Sequence, residues 1–255
     1  RARVDYKERL EARRVSAVPH PDDPHSGETK QLKSHRSSIF AEWLVTTFGM
    51  ELLRRGVVDM AGGRGDLSFE LSVKRGIPCT VVDARCLGEE LVPCAWTDWQ
   101  LSRSQRLWLQ ANVPGLRGFQ ACQAHVASCQ LRQCRAVIGS GWRERRSCWA
   151  RVVGGAGIIV GMHPDQATGD AVELACAFDL PFAVVPCCVF SDEFPDRILG
   201  SGPDARCVRT HEDLVAWLQL LSPASEKRFL NFRGKNVVVF RRAAPGNGAE
   251  GWGSA

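Results

Sequence analysis

Long apolar runs and a regular cysteine framework are both missing from this sequence. No stretch approaches the ~18 consecutive apolar residues that a membrane-spanning helix requires, so we expect no membrane partner. The 11 cysteines are odd in number and follow no framework of spacings, which argues against a secreted disulfide scaffold and favours a reducing, intracellular compartment, cytoplasm or nucleus. No signal peptide is visible; because the chain begins at Arg1 and not at methionine, an upstream targeting segment, and with it an organelle, stays open.

Lysine is scarce, and the positive charge is unevenly distributed. Only 6 of the 33 basic residues are lysine; the excess of arginine is typical of phosphate recognition and equally of a GC-rich coding sequence. Residues 103–151 hold nine arginines and one glutamate, a net charge of +8 in a chain whose total is +5. With 44% hydrophobic and 24% charged residues, the 255-residue chain suits one large α/β domain, alone or with a small appendage.

The apolar pattern predicts one α/β domain, residues 37–242, between a polar arm and a short tail. We expect the arm, residues 1–36, to be partly disordered with a short helix within residues 5–15, and the tail, residues 243–255, to be disordered. Short apolar strands that alternate with helices predict a doubly wound, mostly parallel sheet with helices on both faces. The predicted strands are residues 56–60, 79–82, 157–162, 182–185 and 236–240, and the predicted helices are near residues 39–48, 66–75, 166–178 and 211–221.

Residues 96–151 follow this alternation least well. A helix is predicted at residues 99–110 and a strand at 118–122, after which no period is visible, so we expect an insertion in the sheet order. Its arginines and tryptophans suit phosphate contact and base stacking on RNA. A solvated insertion whose tryptophans pack on the sheet is an equal alternative. The tryptophans are Trp96, Trp99, Trp108, Trp142 and Trp149.

A glycine turn, residues 61–65, follows the first predicted strand, and Asp83 closes the second. In open α/β sheets such a turn lets the backbone approach a nucleotide, and the second acid accepts hydrogen bonds from ribose hydroxyls. The dinucleotide fingerprint would need glycine at position 68, where Ser68 stands. The pattern acid-x-Gly-x-Gly-x-Gly agrees better, with Asp59 as the acid and Ala61 in place of the first glycine.

The pattern from Asp59 to Asp83 resembles motif one of the class I S-adenosylmethionine-dependent methyltransferases, and Asp83, 24 positions after Asp59, matches that family's ribose-binding acid. The resemblance implies a Rossmann-like class I methyltransferase fold with S-adenosyl-L-methionine as cofactor. It implies that the turn lines the methionine moiety, that Asp59 orients the turn, and that Asp83 holds both ribose hydroxyls. A Rossmann-like turn without a ligand is the alternative. The implied cofactor residues are Asp59, Ala61, Gly62, Gly63, Gly65, Asp83 and Ala84.

Two further stretches resemble one branch of that superfamily, which includes acceptor-stem tRNA 2′-O-methyltransferases and methyltransferase-like proteins. In that branch a motif with glycine and histidine follows strand four, as residues 161–168 do here, and a Cys-Cys pair ends strand five, as Cys187 and Cys188 do. The tRNA enzymes usually carry His-Leu-Cys-Gly and a Cys-Cys-His-His extension. This sequence departs at both places, with His-Pro-Asp-Gln from position 163 and Cys-Cys-Val-Phe from position 187.

His163 and Asp165 are the candidate catalytic residues. A neutral imidazole near a sulfonium methyl donor can take a proton from an attacking hydroxyl or amine, and Asp165 can orient it or act as the base. In the alternative interpretation both residues only hold the turn, Asp165 by capping the helix from Gln166. Methyl transfer to an already nucleophilic nitrogen needs little beyond positioning and desolvation.

Two groups of cysteines are candidates for chemistry, one as thiol nucleophiles and one as zinc ligands. We expect neither a reactive thiol nor a metal site. Cys187 and Cys188 are expected to pack at the end of their strand, since no cationic neighbour that would activate a thiol is visible. Four residues within 13 positions offer zinc ligands but contain no Cys-x-x-Cys knuckle, so we expect no metal, although metal binding there stays open. They are Cys122, His125, Cys129 and Cys134.

The sequence therefore predicts a methyltransferase that uses S-adenosylmethionine and acts on RNA, either tRNA or rRNA, through the basic residues 103–151. A protein methyltransferase and a catalytically silent RNA-binding or scaffold protein are the alternatives. A nicotinamide-dependent oxidoreductase is disfavoured by Ser68. The oligomeric state is left open.

Overall fold

The computed structural model describes residues 20–25, 29–96 and 100–242. The helix predicted within residues 5–15, the tail at 243–255 and Trp99 lie outside the described residues. Among the described residues, every helix is too short or too polar to span a lipid bilayer.

The central element is a mixed sheet of eight strands. In the described chain the strands are β1 (Val57–Met60), β2 (Cys79–Asp83), β3 (Cys94–Ala95), β4 (Leu131–Arg135), β5 (Ile158–Met162), β6 (Phe182–Val185), β7 (Ile198–Leu199), β8 (Arg206–Cys207), β9 (Glu226–Phe229) and β10 (Val237–Arg241). The sheet order is β3-β4-β2-β1-β5-β6-β10-β9, and β7 pairs with β8 separately. Strands β4, β2, β1, β5 and β6 are parallel, whereas β10 is antiparallel to both β6 and β9. This arrangement confirms the predicted Rossmann-like α/β fold.

Helices cover both faces of the sheet. They are α1 (Arg36–Arg54), α2 (Asp66–Ser68, continued by a π-helical stretch, Phe69–Val73), α3 (Arg103–Asn112), α4 (Phe119–Ser128), α5 (Arg146–Val153), α6 (Thr168–Ala177) and α7 (His211–Leu221). Helix α1 is broken at Gly49, whose φ of 78° is not helical. The N-cap of α2 is Gly65, and Asp66 is its first residue.

Two apolar cores lie on opposite faces of the sheet. Successive side chains of β5 alternate between them: Ile158 enters the first core and Ile159 the second. The first core contains Phe40 of α1, and the second contains Trp149 of α5. Because both faces are covered, the central parallel strands β1, β5 and β6 are buried along nearly their whole length, so their apolar sequence pattern is continuous.

Residues 96–151, predicted as an insertion, supply a strand to the main sheet. Strand β4 pairs in parallel with β2 along its whole length, so this stretch continues the alternation of helix and strand. The strand predicted at residues 118–122 is wrong, since those residues begin helix α4. The predicted helix at 99–110 corresponds to α3.

Part of the polar arm packs against the hairpin of β9 and β10. Asp23 forms an ion pair with Lys30 and accepts a hydrogen bond of 3.2 Å from Asn236 Nδ2. Gln31 forms a parallel bridge with Phe232, which follows β9. The described residues of the arm are therefore tied to the folded domain.

Candidate functional site

The candidate site lies at the point in the sheet where the strand order changes direction. From β1 the chain moves outward through β2 to β4 on one side, then returns to β5 on the other side of β1. In open α/β sheets, ligands bind outside the carboxyl ends of the strands at such a switch point. The segments that follow β1, β2, β5 and β6 meet at this edge, which we call the switch-point edge.

Asp59, inside β1, is fully buried. Its Oδ2 accepts a hydrogen bond of 2.9 Å from the Ser68 hydroxyl, whereas its buried Oδ1 has no hydrogen-bond partner. Burial, and then the charges of Asp83 and Asp66, raise the pKa of Asp59 to about 7. At the position where a dinucleotide fingerprint would require glycine, Ser68 therefore provides the hydroxyl that binds Asp59.

The glycine turn depends on two close approaches and on left-handed backbone. A Cβ on Gly62 would lie 2.7 Å from the Asp59 carboxyl carbon, so the turn packs directly on that acid. Gly63 adopts a φ of 61°, and Ala61 adopts a φ of 51° although it carries a Cβ. The position where the sequence departs from glycine is thus one whose conformation favours glycine.

Asp83 closes β2 and is surrounded by donors from this chain. The backbone N–H of Gly63 donates to Asp83 Oδ2 at 2.9 Å. Arg85 donates from Nε to Oδ1 at 2.9 Å and from Nη2 to Oδ2 at 3.1 Å. Burial alone would raise the pKa of Asp83, but the hydrogen bonds and charge of Arg85 lower it, so the carboxylate is ionised at neutral pH. The glycine turn and the second acid are therefore brought together as predicted.

Helix α2 starts from this turn, and the side chain of Arg85 covers it. A Cβ on Gly63 would meet the Arg85 guanidinium at 2.8 Å, with no backbone atom within contact range. The Arg85 side chain is 71% exposed, so it is free to move away at little cost. The space beside Gly63 is therefore occupied by a flexible side chain and not by backbone atoms.

His163 follows β5, and its backbone is left-handed, with a φ of 55°. Its N–H donates to the carbonyl of Val185 at 3.0 Å, which ties the ends of β5 and β6 together. Burial, then the positive charges of Arg36 and Lys33, lower the pKa of His163 to about 4, so the ring is neutral at pH 7. Its buried Nε2 has no hydrogen-bond partner.

Asp165 begins a short 3-10 helix, Asp165–Ala167, and has a left-handed φ of 50°. The N-cap of that helix is Pro164 and no side chain caps it, so the predicted capping role of Asp165 is wrong. Its Oδ1 instead accepts a hydrogen bond of 3.0 Å from Cys187 Sγ. Burial, followed by the hydrogen bonds with Asp165 and Cys188, raises the pKa of the Cys187 thiol.

Cys187 and Cys188 follow the end of β6, as expected, but they are not fully packed there. Cys187 is half-buried and Cys188 is exposed, and their sulfurs lie 3.5 Å apart. The possible zinc ligands near α4 are not brought together: within the described ranges, the one group of three ligands close enough for a metal ion is Asp165, Cys187 and Cys188.

A cleft of about 450 Å³ borders the glycine turn. Cationic side chains from two segments line it: Lys33 just before α1 and Arg36 at its start, and Arg64 in the turn. The acids Asp66 and Glu70 line it as well. Lys33 and Arg36 also act on His163 electrostatically, so the cleft and the candidate catalytic residue share one side of the molecule.

Several residues of this site were not recognised from the sequence. Arg85 could have been noticed, because it lies two positions after the second acid. His211, which starts α7 and contacts the Pro186 carbonyl through Nε2 at 3.1 Å, gave no local signal. Nor did Phe232, whose ring centre lies 6.3 Å from that of His163. Both are distant in sequence and are placed by the sheet topology.

No protein-family model matches this sequence, and no curated protein matches it. The class that the structure defines is a Rossmann-like α/β protein with a glycine turn and an acid at the switch-point edge.

Proposed function

We propose that this chain is an S-adenosylmethionine-dependent methyltransferase that acts on RNA. The observation that supports it most is the meeting of the Gly63 N–H with the Asp83 carboxylate at the switch-point edge. This pairing places a flexible glycine backbone beside an ionised acid, the arrangement that nucleoside binding requires. His163 lies after β5, the next strand along the same edge.

The residues present are compatible with that cofactor. When bound, S-adenosylmethionine supplies an electrophilic methyl group on a positively charged sulfonium. Asp83 would hold the ribose hydroxyls after Arg85, which is mostly exposed, has moved from its oxygens. Asp59 would hold the turn in place through Gly62, and the ionised Asp83 would contribute the negative charge that favours a cationic ligand.

The alternative nucleotide, a nicotinamide dinucleotide, agrees less well with the structure. The third glycine of its fingerprint lets the helix pack closely on the strand, but here Ser68 occupies that place and donates to Asp59. The sheet also contains β10, antiparallel between β6 and β9, whereas the dinucleotide order has no such strand.

His163 would act as the proton acceptor. With a pKa lowered to about 4 it is neutral at pH 7, and its Nε2 makes no bond within the protein, so the lone pair or proton of that nitrogen is not engaged elsewhere. Such a group can accept a proton from an attacking hydroxyl as the new bond to carbon forms. For a nitrogen nucleophile, the same pocket would act by positioning and exclusion of water.

The support for RNA comes from the cleft and not from the tryptophans. Trp96, Trp142 and Trp149 are buried in the cores, so they are not available for base stacking. The three cationic side chains of the cleft instead offer contacts for phosphates. Exposed arginines outside the cleft, such as Arg117 and Arg151, add a general attraction for a polyanion.

Transfer of a labelled methyl group tests this proposal. The full chain is incubated with labelled S-adenosylmethionine and separate pools of total RNA and total protein. We expect label in RNA, reduced by about 100-fold or more in Asp83→Ala, since the charge-assisted hydrogen bonds of that acid are worth roughly 1.5–3 kcal/mol each. Asp204→Ala, at an exposed acid of a different loop, is the matched control. Label in protein alone would favour the protein methyltransferase, and no label despite cofactor binding would favour a silent RNA-binding protein.

A further inference from the structure

Two thiols and a carboxylate converge at the ends of β5 and β6. Cys187 Sγ lies 3.0 Å from Asp165 Oδ1 and 3.5 Å from Cys188 Sγ. One ligand atom from each of the three residues lies within 4.8 Å of the others. Asp165 and Cys188 are exposed and Cys187 is half-buried, so an ion can reach all three from solvent.

The fold holds these groups in place. Strands β5 and β6 are parallel neighbours, with Met162 paired to Val185. The N–H of His163 extends this pairing beyond the strands by donating to the Val185 carbonyl at 3.0 Å. Asp165 lies three positions after the end of β5, and Cys187 lies two positions after the end of β6. The sheet therefore positions the contact between Asp165 and Cys187. Because these side chains are already held close together, less conformational entropy is lost when they bind an ion.

The spacing of the sulfurs agrees with a tetrahedral soft-metal site. Zinc–sulfur bonds of ~2.3 Å at a tetrahedral angle separate two sulfurs by about 3.8 Å, close to the 3.5 Å between Cys187 and Cys188. On binding, Cys187 and Cys188 would each release the thiol proton to solvent, and the hydrogen bond from Cys187 to Asp165 would be replaced by a bond from each residue to the ion. Thiolate ligands select zinc-like and softer cations over magnesium or calcium.

We propose that Asp165, Cys187 and Cys188 form a binding site for a single thiophilic divalent cation of the zinc class, with the fourth position open to solvent. Sequence reasoning predicted no metal site and considered a different set of ligands. The site does not depend on methyl transfer, because its ligands are held by β5 and β6 whether or not a cofactor binds. When it is filled, Asp165 is engaged by the metal and is no longer free to orient His163.

Titration of the reduced, full-length chain with Cd²⁺ and Zn²⁺ tests the site, with the ultraviolet charge-transfer band of cadmium thiolate as the readout and a chelator setting the free metal concentration. We expect one equivalent to bind tightly. Cys187→Ser and Cys188→Ser should each weaken binding by more than the ~10–100-fold that loss of an outer-shell partner costs. Asp165→Asn should weaken it by about 10-fold or more, and asparagine tolerates the left-handed φ at that position.

Cys207→Ser is the matched control, since Cys207 is also half-buried but lies on β8, outside this group. Its affinity should equal that of the unchanged protein. Unchanged binding in either Cys187→Ser or Cys188→Ser, or unchanged binding in Asp165→Asn, would overturn the three-ligand site. A chain that binds cadmium but not S-adenosylmethionine would leave the metal site in place and remove the methyltransferase proposal, so the two failures are distinguishable.

Discussion

Arg85 engages both carboxylate oxygens of Asp83, the acid that closes β2, through Nε and Nη2. The same acid accepts a hydrogen bond from the Gly63 N–H. A ribose can therefore reach Asp83 only by replacing the guanidinium. Arg85 is 71% exposed but Asp83 is only 8% exposed, so the two-point ion pair that must be given up is worth on the order of 1 kcal/mol, the upper end for surface pairs.

Arg85→Gln is predicted to raise the affinity for S-adenosylmethionine by up to about 5-fold. Removing the guanidinium leaves each oxygen of Asp83 with one backbone N–H donor, from Gly63 and from residue 85, and opens its remaining acceptor capacity to the ribose. The competing ion pair contributes on the order of 1 kcal/mol. Calorimetric titration of the variant measures the change. Arg64→Gln, at a 78% exposed arginine of the same turn, is the control. A tenfold loss in Arg85→Gln would mean that Arg85 contacts the cofactor instead of competing with it.

Ala61→Gly is predicted to leave the free energy of unfolding unchanged or to raise it by up to about 1 kcal/mol. The left-handed φ of 51° at Ala61 costs a residue with a Cβ roughly 1 kcal/mol, which glycine avoids. Greater freedom of glycine in the unfolded chain offsets part of this gain.

Ala150→Gly is the matched control, because Ala150 has a helical conformation in which alanine is favoured over glycine. Ala150 is exposed in the middle of α5, where glycine costs about 1 kcal/mol relative to alanine. Urea unfolding of both variants gives the two differences. Equal destabilisation in the two variants would show that the conformation at position 61 is not strained.

Asp59 and His163 are predicted to have opposite effects on the pH dependence of stability. The pKa of Asp59 is raised to about 7 from 3.8 in a free carboxyl, so the folded state holds the proton more tightly and stability falls as pH rises from about 4 to 7. The pKa of His163 is lowered to about 4 from 6.5. The unfolded state then holds the proton more tightly, so stability rises with pH between about 4 and 6.5.

In the unchanged protein the pH-dependent contributions of Asp59 and His163 nearly cancel. Replacing either residue leaves the contribution of the other to be measured. We compare the change in the free energy of unfolding between about pH 5 and pH 6.5. In Asp59→Asn this change should be about 2 kcal/mol more favourable to folding than in the unchanged chain. In His163→Asn it should be less favourable by about the same amount. Asparagine tolerates the left-handed φ at position 163. Urea unfolding at several pH values measures both slopes. Parallel profiles for the three proteins would contradict the assigned environments.

RNA affinity is predicted to fall steeply and log-linearly with salt, and to depend on the cleft. Lys33→Gln combined with Arg36→Gln should weaken binding and make the salt slope shallower by about 2, one for each lost phosphate contact. Arg143→Gln is the control, since Arg143 already pairs with Glu173 at 2.8 Å. Filter binding at several salt concentrations gives the slopes. A slope unchanged in the double variant would remove the cleft from the RNA interface.

The central parallel strands β1, β5 and β6 were predictable because burial on both faces makes them nearly continuously apolar. Strand β6 was predicted with its observed bounds, Phe182–Val185. Strand β4 was missed because it has exposed arginines, Arg132 and Arg135, among buried residues, so its pattern resembles a polar surface. The start of helix α4 is wrongly predicted as a strand because its short apolar segment has no clear period.

The acidic and glycine residues of the site were predictable, whereas their partners were not. Asp59, Gly63 and Asp83 follow from strand ends and spacing, which are local. The contact of Cys187 with Asp165 joins residues 22 positions apart and requires knowing that β5 and β6 are neighbours. The left-handed conformation of Ala61 also could not be inferred, because the sequence names the residue but not its backbone angle.

Calorimetric titration with S-adenosylmethionine, S-adenosylhomocysteine and NADH, repeated on Asp83→Ala, tests the central proposal most directly. We predict micromolar binding of both sulfur compounds to the unchanged chain, a loss of affinity of about 100-fold or more in the variant, and no binding of NADH. Binding of NADH alone, or sulfur-compound affinities that are unchanged in Asp83→Ala, would contradict the assignment of this edge of the sheet as the methyl-donor site.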